Sequence, residues 1–211
     1  MKRDFIRVKL AGIKKNMRIQ RIILILIIAF TSNTALGQAT DSLKNALLEK
    51  IKSSELFKGD IYDLKGKELP KFELNLINGQ KLNSESLKGK PTIINFWFSN
   101  CAPCIEEMPL LNKIKSEFVN DVNFISITFQ SQNEVNEFLK TNEFDFTHVI
   151  ESKEYIKNLG FFAYPKTLIL DKSLIITEIE KSIPKDIENE DQNKVEFIAR
   201  ISNQLTELKK R

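Results

Sequence analysis

Cys101-Ala102-Pro103-Cys104 holds both cysteines of this 211-residue chain, three positions apart. A pair at that spacing can open and close a disulfide, and its surroundings decide whether it serves as a reagent or as a staple. Residues 93–98 form a nearly unbroken apolar run, the pattern of a strand inside a sheet, and a helical pattern begins at the first cysteine. A thiol at a helix N-terminus meets unsatisfied backbone N–H groups and the positive end of the helix dipole, and both favour the thiolate. Cys101 is therefore the expected nucleophile. Cys104, one turn deeper, is expected to attack the mixed disulfide and release the partner. Pro103 is tolerated because the first helical turn needs no N–H donors.

This context favours a redox pair over the two plainer readings of the motif. Tetrahedral zinc wants four ligands, but there is no second cysteine pair and His148 is the one histidine, so no metal is expected. A structural disulfide across so short a loop stabilises little. No cofactor is implied, since the sulfurs themselves carry the electrons.

The first residues read as an export signal. Residues 22–30 are apolar throughout, Arg18 and Arg21 precede them, and residues 31–34 are polar. Ala35-Leu36-Gly37 places small residues where a signal peptidase reads, with cleavage expected before Gln38. Nine apolar residues span about 14 Å as a helix, against a hydrocarbon core of roughly 30 Å. Residues 1–37 are thus read as a signal peptide, or as an N-terminal anchor if the leader is uncleaved, and Met17 as an alternative start. The expected location is periplasmic or otherwise extracytoplasmic. The leader holds eight Lys/Arg and one acid, so in a chain of net charge +4 the remainder carries −3. That remainder has no basic excess to hold phosphates, which argues against nucleic acid as a partner.

The elements that must position the pair follow from periodicity. Residues 41–57 have the spacing of an amphipathic helix capped by Asp41, and residues 59–70 read as a linker or loose strand. Phe72, Leu74 and Leu76 alternate with polar residues up to Asn78-Gly79, the signature of a two-residue hairpin turn. A helix is expected from Cys101 to Val119 with Pro109 inside it, then a strand over 122–129. Ser131 and Glu134 form a capping box for a helix to Lys140. A short strand over 146–150, a helix over 153–159, a strand–turn–strand over 166–179 and a closing helix with Val195, Ile198, Leu205 and Leu208 on one face complete the chain. Such alternation predicts an α/β fold around a mixed sheet, divided as 38–70 (N-terminal helix and linker) and 71–211 (the redox domain).

From residue 72 to 174 the chain resembles the TlpA/ResA-type extracytoplasmic thiol-disulfide oxidoreductases of the thioredoxin superfamily. The resemblance is carried by Lys71-Phe72-Glu73-Leu74, Asn78-Gly79, Leu87-Lys88-Gly89-Lys90-Pro91, Asn95-Phe96-Trp97, the cysteine motif, Glu107-Met108-Pro109, and Tyr164-Pro165-Lys166-Thr167 with Asp171. It implies a thioredoxin-like fold with an added N-terminal β-hairpin and a helical insertion near 131–157. It further implies that Glu107, on the same helix face as Cys104, helps move the pair's protons. Asn95 stands where cytoplasmic thioredoxins keep a buried Asp, and Asn cannot titrate. Pro165 matches the family's cis-proline, which would present the backbone of Tyr164 to a partner strand. Trp97 is expected beneath the site, and less strongly as a wall of the partner groove.

Two departures bear on partner choice: Asn100 replaces a usual Trp, and Tyr164 replaces a smaller residue. Protein thiols and disulfides are the implied partners, and an exported reductant also implies a membrane electron donor. Two rival readings are weaker. A peroxiredoxin-like peroxidase would want Pro and Thr or Ser before the reactive cysteine, where Phe98 and Ile94 stand. A Sco-like copper-binding module would want three residues between the cysteines and a later histidine.

Overall fold

A strand buried at every position needs cover on both faces, and the chain supplies it from two directions. The computed structural model describes residues 60–160, 163–184 and 187–210, which fall in one compact unit, Glu55–Arg211. The leader and the helix expected over 41–57 lie outside the described residues.

A hairpin of β1 (Glu73–Asn75) and β2 (Lys81–Asn83) leads into the central strand β3 (Thr92–Phe96). Helix α1 (Ala102–Phe118), β4 (Asn123–Ile127), α2 (Gln132–Leu139), β5 (Thr147–Val149) and α3 (Lys153–Asn158) follow. Strands β6 (Lys166–Leu170) and β7 (Ile176–Glu180) and helix α4 (Glu190–Lys210) close the fold. The sheet runs β5-β4-β3-β6-β7, with β3, β4 and β5 parallel and β6 and β7 antiparallel to their neighbours. This is the thioredoxin-like architecture with its N-terminal hairpin.

On one face Ile93 and Ile169 meet Met108, Leu111 and Ile114 of α1 and Phe197, Ile201 and Leu205 of α4. On the other, Ile94, Leu168 and Leu170 meet Ile61, Leu69, Phe72 and Leu87 from the N-terminal segment and Ile156 from α3. Helix α1 spans Pro109 without interruption.

Four details differ from the sequence expectations. The stretch read as linker or loose strand contains a 3₁₀ turn, Ile61–Leu64, capped by Asp60. It then lies along the β7 side of the sheet, where Leu69 N donates to Leu174 O and Ile176 N to Lys67 O. Buried Ile61 and Leu69 hold it there, because their apolar surface leaves water only against the sheet. The hairpin turn has three loop residues rather than two. Glu73 pairs with Asn83 and Asn75 with Lys81, so Ile77, Asn78 and Gly79 form the loop, and Leu76 N donates to Gln80 O. A two-residue type I′ turn needs positive φ at both centres, but here only Gly79, at φ 83°, adopts it.

Strand β7 starts later than expected because Leu174 sits at φ 67°. The buried face of α4 is Phe197, Ile201, Leu205 and Leu208, while Val195 is 65% exposed. Positions 197, 201, 205 and 208 repeat at helical spacing, whereas 195 lies about 200° around the axis from 197.

Both open edges of the sheet are met by earlier chain. Glu68 bridges Ile175 beside β7, and Leu76 bridges Val149 on β5, where Ile77 N donates to His148 O. Unpaired strand edges invite pairing with other chains, so this cover keeps the sheet closed.

The β6–β7 turn rests on one carboxylate. Asp171 Oδ1 accepts from Ser173 N at 2.8 Å and from Ile175 N at 2.9 Å, which holds Leu174 in its left-handed conformation. Asp171→Ala should lower unfolding free energy by about 1–3 kcal/mol, the range for losing charge-assisted bonds to backbone donors. Chemical denaturation checks this, and an unchanged midpoint would show the turn to be held otherwise.

Candidate functional site

The site forms where β3 runs out and α1 begins. Cys101 is the N-cap of α1, with extended backbone, and its sulfur accepts from Cys104 N at 3.3 Å. Backbone donors at a helix start lack intrahelical partners, so a capping acceptor there is stabilising. The two cysteines form a disulfide, with Cα atoms 5.2 Å apart. Both are buried in this oxidised state, Cys101 at 4% exposure. Among the described residues there is no group of His, Cys, Asp and Glu that could hold a metal ion.

Glu107 lies one turn beyond Cys104 and only 2% of it is exposed. Its Oε1 accepts from Ile183 N at 3.0 Å, in the coil that leaves β7. Burial pushes its carboxyl up to about 8, against the pull of the Ile183 N–H and the Lys166 ammonium, with Glu180 and Glu106 adding to the rise. Arg200 of α4 grips Glu180 through Nε and Nη2, the latter at 2.9 Å, and so ties α4 to the end of β7 beside this coil. Lys166 is itself buried, and its ammonium pKa is lowered by desolvation and by Lys181. A carboxyl with this titration can hold or take a proton near neutral pH.

Asn95 is buried and donates from Nδ2 to Thr167 Oγ1 at 2.9 Å, a neutral tie between β3 and β6. The ionisable acid behind the cysteines is therefore Glu107. The Tyr164–Pro165 bond is cis. Pro165 is buried and Tyr164 half-buried; the Tyr164 hydroxyl is pushed up to about 12 by desolvation, so it stays protonated. Trp97 has no exposed surface and so offers none to a partner in this state. It packs on Phe138 at 4.9 Å and edge-on against Phe144 and His148. His148 lies on edge strand β5, with Nδ1 2.7 Å from Ser126 Oγ, remote in role from the cysteines.

Sequence reasoning picked out Tyr164 but missed Phe98, Phe129 and Gln130 at the site. Phe98, Phe129 and Tyr164 form an aromatic cluster, with centroids 5.2 Å apart for Phe98–Tyr164, 5.7 Å for Phe98–Phe129 and 6.1 Å for Phe129–Tyr164. Gln130 bonds Ser99 reciprocally: its Oε1 accepts from Ser99 N at 2.7 Å and its Nε2 donates to Ser99 Oγ at 2.8 Å. The chain contained one signal for them, the absence of charge on every loop involved.

The AhpC/TSA family model matches residues 65–179. The thioredoxin-like protein YneN of Bacillus subtilis is 30% identical over 118 residues, covering 54% of this chain and 69% of that protein. The thiol-disulfide oxidoreductase ResA of Bacillus cereus is 28% identical over 177 residues, 82% of this chain and 93% of ResA. The thiol:disulfide interchange protein DsbE of Pseudomonas fluorescens is 29% identical, over 54% of this chain and 64% of that protein. Among solved structures, a thiol:disulfide interchange protein of Chlorobium tepidum aligns with TM-score 0.54 at 22% identity, covering 67% of this chain and 97% of that one. That likeness speaks to the fold.

Burial of Glu107 has a cost that depends on pH. The native state keeps a proton up to about pH 8 that the unfolded chain, with an ordinary value of 4.5, gives up earlier. Native stability therefore falls as pH rises from about 4.5 to about 8, by at most about 1.4 kcal/mol per pH unit from this group. Glu107→Gln still accepts from Ile183 and cannot ionise. Its melting temperature should exceed the wild type's by several degrees at pH 8, with the gap closing near pH 4.5. A gap that stays constant with pH would contradict the assigned titration.

Proposed function

We propose that this chain, which belongs to the AhpC/TSA family and is a thiol-disulfide oxidoreductase acting through Cys101 and Cys104, works outside the cytoplasm as a reductant of exported proteins. The observation that carries this reading is Cys101 at the N-cap of α1 with buried Glu107 one turn behind Cys104. In the reduced protein the Cys101 thiolate attacks a partner disulfide; one S–S bond forms as the partner's breaks, and the departing sulfur takes a proton. Glu107, when ionised, takes the Cys104 proton; the Cys104 thiolate attacks Cys101 Sγ, the mixed disulfide breaks, and the second partner sulfur leaves and takes a proton back from Glu107. Two electrons and two protons pass to the partner, and the protein is left with its disulfide.

Cis-Pro165 and the Tyr164 backbone supply the edge on which a partner strand pairs. The leader over 1–37 supports export, as a cleaved signal peptide or as an anchor, and a membrane donor must then restore the dithiol. Electron delivery is favoured because the helix terminus is the one stabilising feature for a thiolate within 98–105, a stretch without a charged residue.

In the reduced native protein, Cys101 alone should react with a bulky alkylating reagent near neutral pH, read by peptide mass mapping. Equal labelling of Cys104 would reverse the assigned roles. Glu107→Gln should shift the pH dependence of that labelling and slow disulfide exchange, and an unaltered profile would leave Glu107 with packing alone.

Equilibration with glutathione buffers should give a midpoint at or below roughly −200 mV, toward thioredoxin rather than the strong oxidants near −120 mV. A midpoint near the oxidants would overturn electron delivery and leave the oxidoreductase activity intact.

A further inference from the structure

Three stretches of chain beside the disulfide carry no charge. Residues 98–105, 128–133 and 159–165 contain no Asp, Glu, Lys, Arg or His, in a chain of which 28% is Asp, Glu, Lys or Arg. The first two meet through Ser99 and Gln130, and Tyr164 of the third packs on both. Phe98 O accepts from Cys101 N at 3.1 Å, so Phe98 closes the turn that leads into the cysteine motif. Phe129 follows β4, Tyr164 precedes cis-Pro165, and both rings pack on Phe98. Phe129 keeps 41% of its surface exposed at this place, an unusual cost for a large apolar ring. The two hydrogen bonds between Gln130 and Ser99 lock two of the three loops together, and Gln130 is itself buried, so the rim is held rigid before a partner arrives.

We propose that Phe98, Phe129 and Tyr164 form a preorganised neutral aromatic rim that selects partner segments by a large apolar side chain next to the partner's cysteine, with no charge alongside it. The occupant is an extended protein segment. Its cysteine must reach Cys101, and its backbone can pair beside cis-Pro165, which places a residue adjacent to the cysteine over the Phe98–Phe129–Tyr164 rings. A charged residue there would lose hydration against three rings with no counter-charge in any of the three loops. An aromatic or large aliphatic residue would instead cover Phe129 and stack edge-on, as the rings already do with one another. The nearest charges in sequence, Glu106, Glu134 and Lys166, lie just outside these stretches. The inference rests on Cys101 being the attacking thiol.

The test uses the protein carrying Cys104→Ser, which stops the exchange at the mixed disulfide, and symmetrical peptide disulfides that differ only beside the cysteine. Attack by Cys101 consumes one S–S bond, forms one, and frees one peptide thiol, which mass spectrometry counts over time. The Phe-flanked neutral peptide should react roughly tenfold faster than Gly-, Glu- and Lys-flanked ones, the worth of one apolar side chain brought out of water. Its rate should change little between about 0.05 and 0.5 M salt.

Adding Phe129→Ser should reduce that preference to about twofold or less, and Phe129→Leu should restore most of it. Phe129 is exposed enough for both variants to keep the fold, which their far-ultraviolet spectra monitor. Equal rates across the peptides, faster reaction of the Glu- or Lys-flanked one, or a preference that survives Phe129→Ser would each overturn the rim. Failure of the same protein to react even with a small disulfide would instead overturn Cys101 as nucleophile, and the rim's role with it.

Discussion

The first backbone N–H groups of a helix have no partner of their own, and here a cysteine sulfur accepts one of them. That bond, from Cys104 N to Cys101 Sγ, makes the reactive atom part of the helix's own capping. It ties the chemistry to the place where β3 ends, because α1 can begin only where the buried strand stops. Everything that fixes β3, including its parallel partner β4, its antiparallel partner β6 and the cover on both faces, also fixes the sulfur pair.

A second consequence follows from the direction of α1. A helix that starts at the end of the sheet and packs across its face carries its first turns into the interior, so Glu107 enters a region with little water. Burial alone would keep the carboxyl protonated far up the pH scale. The Ile183 N–H and Lys166 bring it back to about 8, a range useful for exchanging protons with thiols. Ile183 stands where it does because Glu180, just before it, is gripped by Arg200 from α4. The last helix is thus coupled to the site through an ion pair and a backbone donor.

The N-terminal segment solves a different problem. A five-stranded sheet with one short edge strand leaves polar edges open, and residues 60–83 meet both, beside β7 and on β5. The same segment supplies Ile61, Leu69 and Phe72 to the face opposite α1. With both edges and both faces occupied, the part of the sheet left for partners is the end where β3 gives way to α1. Residues 98–105 and 128–133, which meet there through Ser99 and Gln130, carry no charge.

The cysteine motif, the buried strand before it, the helix after it and most later elements were legible in the sequence, because spacing and periodicity are local properties. Local patterns also placed Asp171 at the β6–β7 turn. The face of α4 was misread through Val195, and the hairpin loop gained a residue, since neither helix rotation nor turn register is settled without the surface that packs against it. The site divides in the same way. Chain spacing alone determined that two thiols could bridge and that Glu107 shared their helix face. Tertiary structure alone decided that this carboxyl would be buried and that Phe98, Phe129 and Tyr164, far apart in sequence, would meet. Desolvation and ring packing depend on which distant segments arrive at one point, and no local pattern encodes that.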